Sequence, residues 1–215
     1  EVALVNLAAA DLGGDYCDVV RTRNGQVLFV IGDVTGHGVS SALLMAMAKA
    51  MVFRFAEEGG ELGRFLERLN RMVFRVLHRK KMMTFFACLL DPAEGVLTYS
   101  TAGHPYPIVV RANGTLERLR LIHSPLGFRD PCEPFVVQTD RLLPGDLLFL
   151  YTDGILEARN ADGEYFGKQR LEEILRRTSS VNPAAVRESV VQSVQAFQQM
   201  ADDDLTLLAV KRSSE

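Results

Sequence analysis

Aspartates recur in this sequence where apolar runs give out. Asp33 follows Val27-Leu28-Phe29-Val30-Ile31, Asp153 follows Leu147-Leu148-Phe149-Leu150-Tyr151-Thr152, and Asp202-Asp203-Asp204 stands directly before Leu205-Thr206-Leu207-Leu208-Ala209-Val210. Asp15 and Asp18 lie across a first hairpin from Asp33. A three-residue loop at Arg23, Asn24 and Gly25 sets Asp15 opposite Asp33, whereas a two-residue turn shifts the pairing by one and brings Asp18 to that face. If these strand ends converge, several carboxylates share one small volume. Two like charges about 4 Å apart repel by about 4 kcal/mol at an effective dielectric of about 20, so four cannot stay ionised together without cations. Oxygen ligands with few imidazoles favour Mg²⁺ or Mn²⁺ over zinc, and a bridging carboxylate suits a two-ion site. Such a site activates a water and neutralises a phosphoryl group during in-line attack. Taken singly each aspartate is an ordinary turn or capping residue, and only the set points to chemistry.

Other patterns are weaker. Gly32-Asp33-x-x-Gly36-x-Gly38 is glycine-rich like a phosphate cradle, yet it lacks Gly-Lys-Ser/Thr and the spacing of a dinucleotide fingerprint. Cys17 and Arg23 have the spacing of a thiolate phosphatase, but the run between them is strand-like and holds no glycine. His37, His78, His104 and His123 do not form a zinc spacing. Met45, Met47, Met51, Met82 and Met83 read as core filler.

The elements that must position the aspartates follow from periodicity and turn residues. Strands are predicted over 2–10, 15–22 and 27–31, with Asn24-Gly25 as the hairpin turn. Helices follow over 39–57 and 62–79, broken at Gly59-Gly60. Short strands come next over 84–90, 96–101, 108–111, 116–121, 135–139 and 147–151, then helices over 168–178 and 183–199, and a last strand over 205–211. Strands bunched in the middle with helices in pairs indicate an α+β fold rather than βαβ winding.

Composition sets the bounds. The chain has 215 residues, 47% hydrophobic and 24% charged, which excludes disorder as its main state. Lys+Arg 24 against Asp+Glu 27 leaves a net charge of -3, and no basic run exceeds Arg79-Lys80-Lys81, so a general nucleic-acid binder is excluded. Three scattered cysteines fit a reducing cytoplasm. No stretch of about 18 uncharged apolar residues and no signal-type leader occurs, so no membrane partner is expected. A strand-like start at Glu1 leads to the expectation of an N-terminal domain in a longer protein.

Six ordered blocks carry a family likeness. Gly13-Gly14-Asp15-Tyr16-Cys17-Asp18, Gly32-Asp33-Val34-Thr35-Gly36-His37-Gly38, Ala102-Gly103-His104-Pro105, Pro125-Leu126-Gly127, Tyr151-Thr152-Asp153-Gly154 and Asp203-Asp204-Leu205-Thr206 together resemble the SpoIIE/RsbU-like bacterial branch of the metal-dependent (type 2C, PPM) serine/threonine protein phosphatases. The resemblance implies a single PPM-type domain over 1–215, built as a four-layer αββα sandwich of two antiparallel sheets flanked by helix pairs, with two Mn²⁺ or Mg²⁺ ions. By resemblance Asp33 bridges both ions, the Val34 carbonyl is a ligand of one, and Asp153 and Asp203 hold the second. Asp15 acts on the metals directly or through water, Asp18 is a minor or outer ligand, and Asp204 replaces an Asn of many eukaryotic relatives. The implied reaction is attack of metal-bound hydroxide on a phosphoserine or phosphothreonine, with His37 or His104 as candidate proton donors. The implied substrate is a STAS-type anti-sigma-factor antagonist in a partner-switching pathway. The implied regulator is an N-terminal sensor or receiver domain, and a homodimer is open to the chain. Eukaryotic members grip phosphate with an Arg before the first metal aspartate, yet residues 1–14 hold neither Lys nor Arg. The rival function is a phosphatase-like adaptor that has lost catalysis. Its mark would be missing metal aspartates, and Asp15, Asp33, Asp153 and Asp203 all remain.

Overall fold

Alternating and continuous apolar runs become, in the computed structural model, strands of two antiparallel five-stranded sheets. The structure describes residues 1–9, 13–36, 38–77, 81–178 and 181–213. In chain order the elements are β1 (Val2–Leu7), β2 (Asp15–Arg21), β3 (Val27–Val34), α1 (Val39–Glu58), α2 (Leu62–Leu77), β4 (Met83–Leu90), β5 (Val96–Ala102), β6 (Ile108–Val110), β7 (Leu116–Arg118), β8 (Gln138–Arg141), β9 (Leu147–Tyr151), α3 (Asp153–Glu157), α4 (Gly167–Thr178), α5 (Pro183–Phe197) and β10 (Leu205–Lys211). The chain forms two compact units, each built from separated segments.

The hairpin unit comprises Ala10–His104 and Leu121–Arg141. Its sheet runs β2-β3-β4-β5-β8. Helix α1 buries Leu44, Ala48, Val52 and Phe55, and α2 buries Phe65, Leu66, Leu69 and Val73, at the three- and four-residue spacing of one helical face. These side chains meet Leu28, Val30, Phe85 and Ala87 of the sheet in one apolar cluster. By length and composition α1 could also cross a membrane, with mean hydropathy 1.5 over its best 18 residues. It nevertheless carries Lys49 and Arg54 and buries the side of Leu44 and Val52 within its own unit.

The terminal unit comprises Glu1–Ala9, Pro105–Arg120 and Leu142–Glu215. Its sheet runs β1-β10-β9-β6-β7. Val186, Val190 and Val194 of α5 and Leu171, Ile174 and Leu175 of α4 pack with Phe149, Tyr151, Leu207 and Ala209. Asn182 caps α5 by accepting from the Ala185 amide at 2.9 Å, and Pro183 opens the helix where its missing N–H costs nothing.

Strands β1 and β7 end earlier than the sequence expectation, at Leu7 and Arg118, and three further departures bear on the site and its frame. Strand β3 runs on to Val34, so Asp33 lies inside the ladder rather than after it. The strand predicted over 135–139 is displaced to Gln138–Arg141, because Pro131 and Pro134 lack ladder donors and Phe135 is buried in the α1–α2 core, its ring stacked on His123 at 3.8 Å. The short helix α3 begins at Asp153, where only a turn is legible from Asp-Gly.

One buried carboxylate closes the β6–β9 end of the terminal unit. Asp146 accepts from Arg111 Nη1, the Ala112 amide and the Leu143 amide, each at 2.9 Å. Replacing it by Ala takes one shared acceptor from three partly buried hydrogen bonds, so Asp146→Ala should lose about 1 to 3 kcal/mol of stability. Urea unfolding followed by circular dichroism checks this, and a change below about 0.5 kcal/mol would show the carboxylate to be dispensable.

Candidate metal centre

In the hairpin unit the site begins with register. The turn after β2 is closed by the Thr22 amide on the Gln26 carbonyl at 2.8 Å, which leaves Arg23, Asn24 and Gly25 as a three-residue loop. Asp15 therefore pairs with Asp33, and on the other side of β3 Asp33 pairs with Thr84. Asp15 is buried and Asp33 half-buried. Asp18 pairs instead with Val30; its carboxylate meets Lys49 Nζ at 3.0 Å and accepts from the Tyr16 hydroxyl at 3.2 Å. The structure thus gives Asp18 to an ion pair with α1, not to the Asp33 rung.

Gly14 supplies the close approach that the chemistry needs. Its carbonyl accepts from the Val34 amide at 3.0 Å. A methyl group on Gly14 would lie 2.7 Å from the Val34 carbonyl oxygen, 3.0 Å from Asp33 Oδ1 and 3.2 Å from the Gly36 carbonyl oxygen. Three oxygens converge on one methyl-sized volume, and any other residue at position 14 would push them apart. With Asp15 on the neighbouring strand, this is the oxygen-only, anionic donor set that a hard divalent cation takes.

In the terminal unit the carboxylates are set by the junction of β9, α3 and β10. The Thr152 amide donates to the Thr206 carbonyl at 3.0 Å, and the Thr206 amide donates to Thr152 Oγ1 at 3.2 Å. Asp153 then opens α3 beside the start of β10. Gly154 permits that contact, since a methyl there would stand 2.0 Å from the Asp204 carbonyl oxygen. Burial pushes the Asp203 carboxyl above the usual carboxylate range, the Asp204 amide it accepts from at 2.8 Å pulls it back, and the charges of Asp153 and Asp204 raise it again. Asp204 has a structural use: its buried carboxylate accepts from the Ala9 amide at 2.8 Å and ties the chain after β1 to the head of β10.

The four aspartates thus stand as two pairs, Asp15 with Asp33 and Asp153 with Asp203. Among the described residues no group of three or more His, Cys, Asp and Glu side chains is gathered closely enough to hold an ion. His104 is buried, with Nδ1 2.9 Å from Thr84 Oγ1, and so holds the ladder neighbour of Asp33. His37 lies outside the described residues, as do His78, Arg79 and Lys80. Cys17 sits in β2 opposite Ile31, and burial pushes its thiol pKa up, away from what a cysteine mechanism requires. Sequence reasoning missed Thr84, and it read Lys81 only as the end of a basic run. A polar residue inside the apolar run of β4 was the available signal for Thr84.

Comparison with known proteins then decides the family. The family description of stage II sporulation protein E (SpoIIE) matches residues 23–213. The chain belongs to the SpoIIE family. Among similar proteins, protein IcfG of Synechocystis sp. is 25% identical over 235 residues, covering 95% of this chain and 37% of IcfG. Phosphoserine phosphatase RsbU of Bacillus subtilis is 24% identical over 214 residues, covering 99% of this chain and 63% of RsbU. The crystal structure of the RsbU and RsbW domains of Rv1364c from Mycobacterium tuberculosis superposes with a TM-score of 0.85 and 27% identity, over 100% of this chain and 60% of that one. The chain therefore spans less than two thirds of each. Its two antiparallel sheets with helices are the fold of the PP2C phosphatase domain of SpoIIE from Bacillus subtilis, which superposes with a TM-score of 0.80 at 16% identity over 98% of this chain and 62% of that one.

The close contact of Gly154 with the Asp204 backbone makes a direct prediction. Gly154→Ala forces the Asp204 backbone to shift and should lower stability by about 1 to 3 kcal/mol. Thermal unfolding checks it, and an unchanged midpoint would mean that the contact at Asp204 yields without cost.

Proposed function

We propose that residues 1–215 form one PPM-type phosphatase domain that hydrolyses phosphoserine or phosphothreonine monoesters on a protein. In this reading Asp15, Asp33 and the Val34 carbonyl are ligands in the hairpin unit, Asp153 and Asp203 are ligands in the terminal unit, and the ions are two Mn²⁺ or Mg²⁺. The observation that carries the reading is the convergence of Asp33 Oδ1 with the Val34 and Gly36 carbonyl oxygens beside Gly14. That donor set suits a hard cation, and the like-charged pair at Asp153 and Asp203 is of the kind a cation relieves. A divalent cation held by these residues would supply charge neutralisation at the phosphoryl group and a more acidic bound water.

The chain's own part is placement. The Asp15–Asp33 register puts two carboxylates on one rung, the Val34 amide bonded to Gly14 fixes the backbone whose carbonyl faces that rung, and the Thr152–Thr206 pair locks Asp153 beside β10. Burial raises the Cys17 thiol pKa, which argues against a thiolate nucleophile and supports water in this reading. The family likeness supports a finer assignment: the phosphoprotein is a STAS-type antagonist in a partner-switching pathway, and an N-terminal regulatory domain governs the reaction.

Hydrolysis of a phosphoserine peptide and of p-nitrophenyl phosphate, with Mn²⁺ or with EDTA, tests the proposal. Turnover should require the metal, and Asp33→Asn and Asp153→Asn should each lower kcat/KM more than about a hundredfold, beyond what outer-sphere changes do. No turnover by the wild-type chain, alone or joined to its regulatory domain and offered STAS substrates, would overturn it in favour of the adaptor function.

A further inference from the structure

The loop that follows Asp33 and Val34 is gripped from one short segment, Lys81-Met82, at the head of β4. The Thr35 amide and hydroxyl both donate to the Met82 carbonyl, at 3.0 and 2.9 Å, and the Met82 amide donates back to Thr35 Oγ1 at 3.3 Å. One residue on, Lys81 Nζ donates to Ser41 Oγ at 2.7 Å, and Ser41 Oγ donates to the Gly36 carbonyl at 2.6 Å. An ammonium can only donate, so the single hydroxyl proton of Ser41 must go to Gly36; the direction of the relay is fixed. Ser41 is fully buried in the first turn of α1, where its side chain has no competing water. Gly36 adopts φ +75°, and the point where a Cβ would sit is 3.7 Å from Lys81 Nζ, so the absence of a side chain lets the ammonium lie against the loop.

The Gly36 carbonyl is one of the three oxygens that meet beside Gly14. We propose that Lys81 and Ser41 are positioning residues: through the Ser41 hydroxyl the Lys81 ammonium fixes the Gly36 carbonyl, and with it the Asp33–Val34 oxygens, and so raises the affinity of this group for a divalent cation. The inference rests on the metal-dependent reading above and assigns two residues that the six family motifs do not contain.

Its test turns on a sign. Lys81 carries a positive charge, so electrostatics alone predicts that Lys81→Met tightens cation binding, whereas loss of positioning weakens it. The measurement is Mn²⁺ affinity by calorimetry on the intact chain, without substrate, for variants whose circular dichroism matches the wild type. Lys81→Met and Ser41→Ala should each weaken Mn²⁺ binding about tenfold, the scale of outer-sphere partners. The double variant should lose no more than either single one, because both break the same relay. Lys81→Arg, which keeps the charge and the donors, should recover most of the affinity. Unchanged or tighter binding in Lys81→Met, or losses that multiply in the double variant, would overturn the inference while leaving the phosphatase reading intact. A wild-type chain that binds no Mn²⁺ would overturn both. Lys81→Met keeps the test decisive if Ser41→Ala does not fold, since Lys81 is partly exposed.

Discussion

Everything at the hairpin end depends on the length of one turn. Side chains on a strand alternate faces with a period of two, so a single residue more or less between β2 and β3 would turn every side chain of β2 over. The pairing of Thr22 with Gln26 fixes three residues in the loop, and that count brings Asp15, not Asp18, to Asp33. The same count sends Asp18 to Lys49 on α1, where the ion pair joins the helix to the strand that carries Asp15. One turn thus sorts two neighbouring carboxylates, one to a rung shared with a carboxylate and one to a rung shared with Val30, from which it reaches an amine on α1.

Glycine performs the complementary task in both units. Gly14 lets carbonyl and carboxylate oxygens crowd to one spot, and Gly154 lets the start of α3 lie on the Asp204 backbone. Each close approach places polar oxygens where a side chain would otherwise stand, and each lies next to an aspartate of the proposed site. Around them the surrounding elements are apolar and conventional: valines at four-residue spacing in α5 and leucines and phenylalanines in α2 bury one face against a sheet. Packing supplies rigidity, and the few unbranched positions supply geometry.

Much of this was legible in the residues. Long helices with a clear apolar stripe and strands with continuous apolar runs were readable because periodicity is a local property, as α2, β9 and β10 illustrate. The two alternative hairpin registers were also readable, although choosing between them required the bond from Thr22 to Gln26. Less legible were features decided by partners distant in the chain. The displacement of β8 depends on where Phe135 is buried, α3 depends on contact with a segment fifty residues away, and the Lys81–Ser41 relay joins residues forty apart through a hydroxyl proton. No local pattern distinguishes a lysine that ends a basic run from one that reaches under a glycine loop.

The connectivity of the terminal unit has a consequence for the order of events during synthesis. β1 pairs with β10, Val2 with Val210, and β10 in turn lies between β1 and β9. Within these residues β1 must therefore wait for β10 before its edge is satisfied, with a loop closure of some two hundred residues to offset. The hairpin unit, whose segments end at Arg141, can assemble while that strand is still unpaired. Until β10 is made, β1 of sequence VALVNL is an unpaired edge able to take a foreign strand.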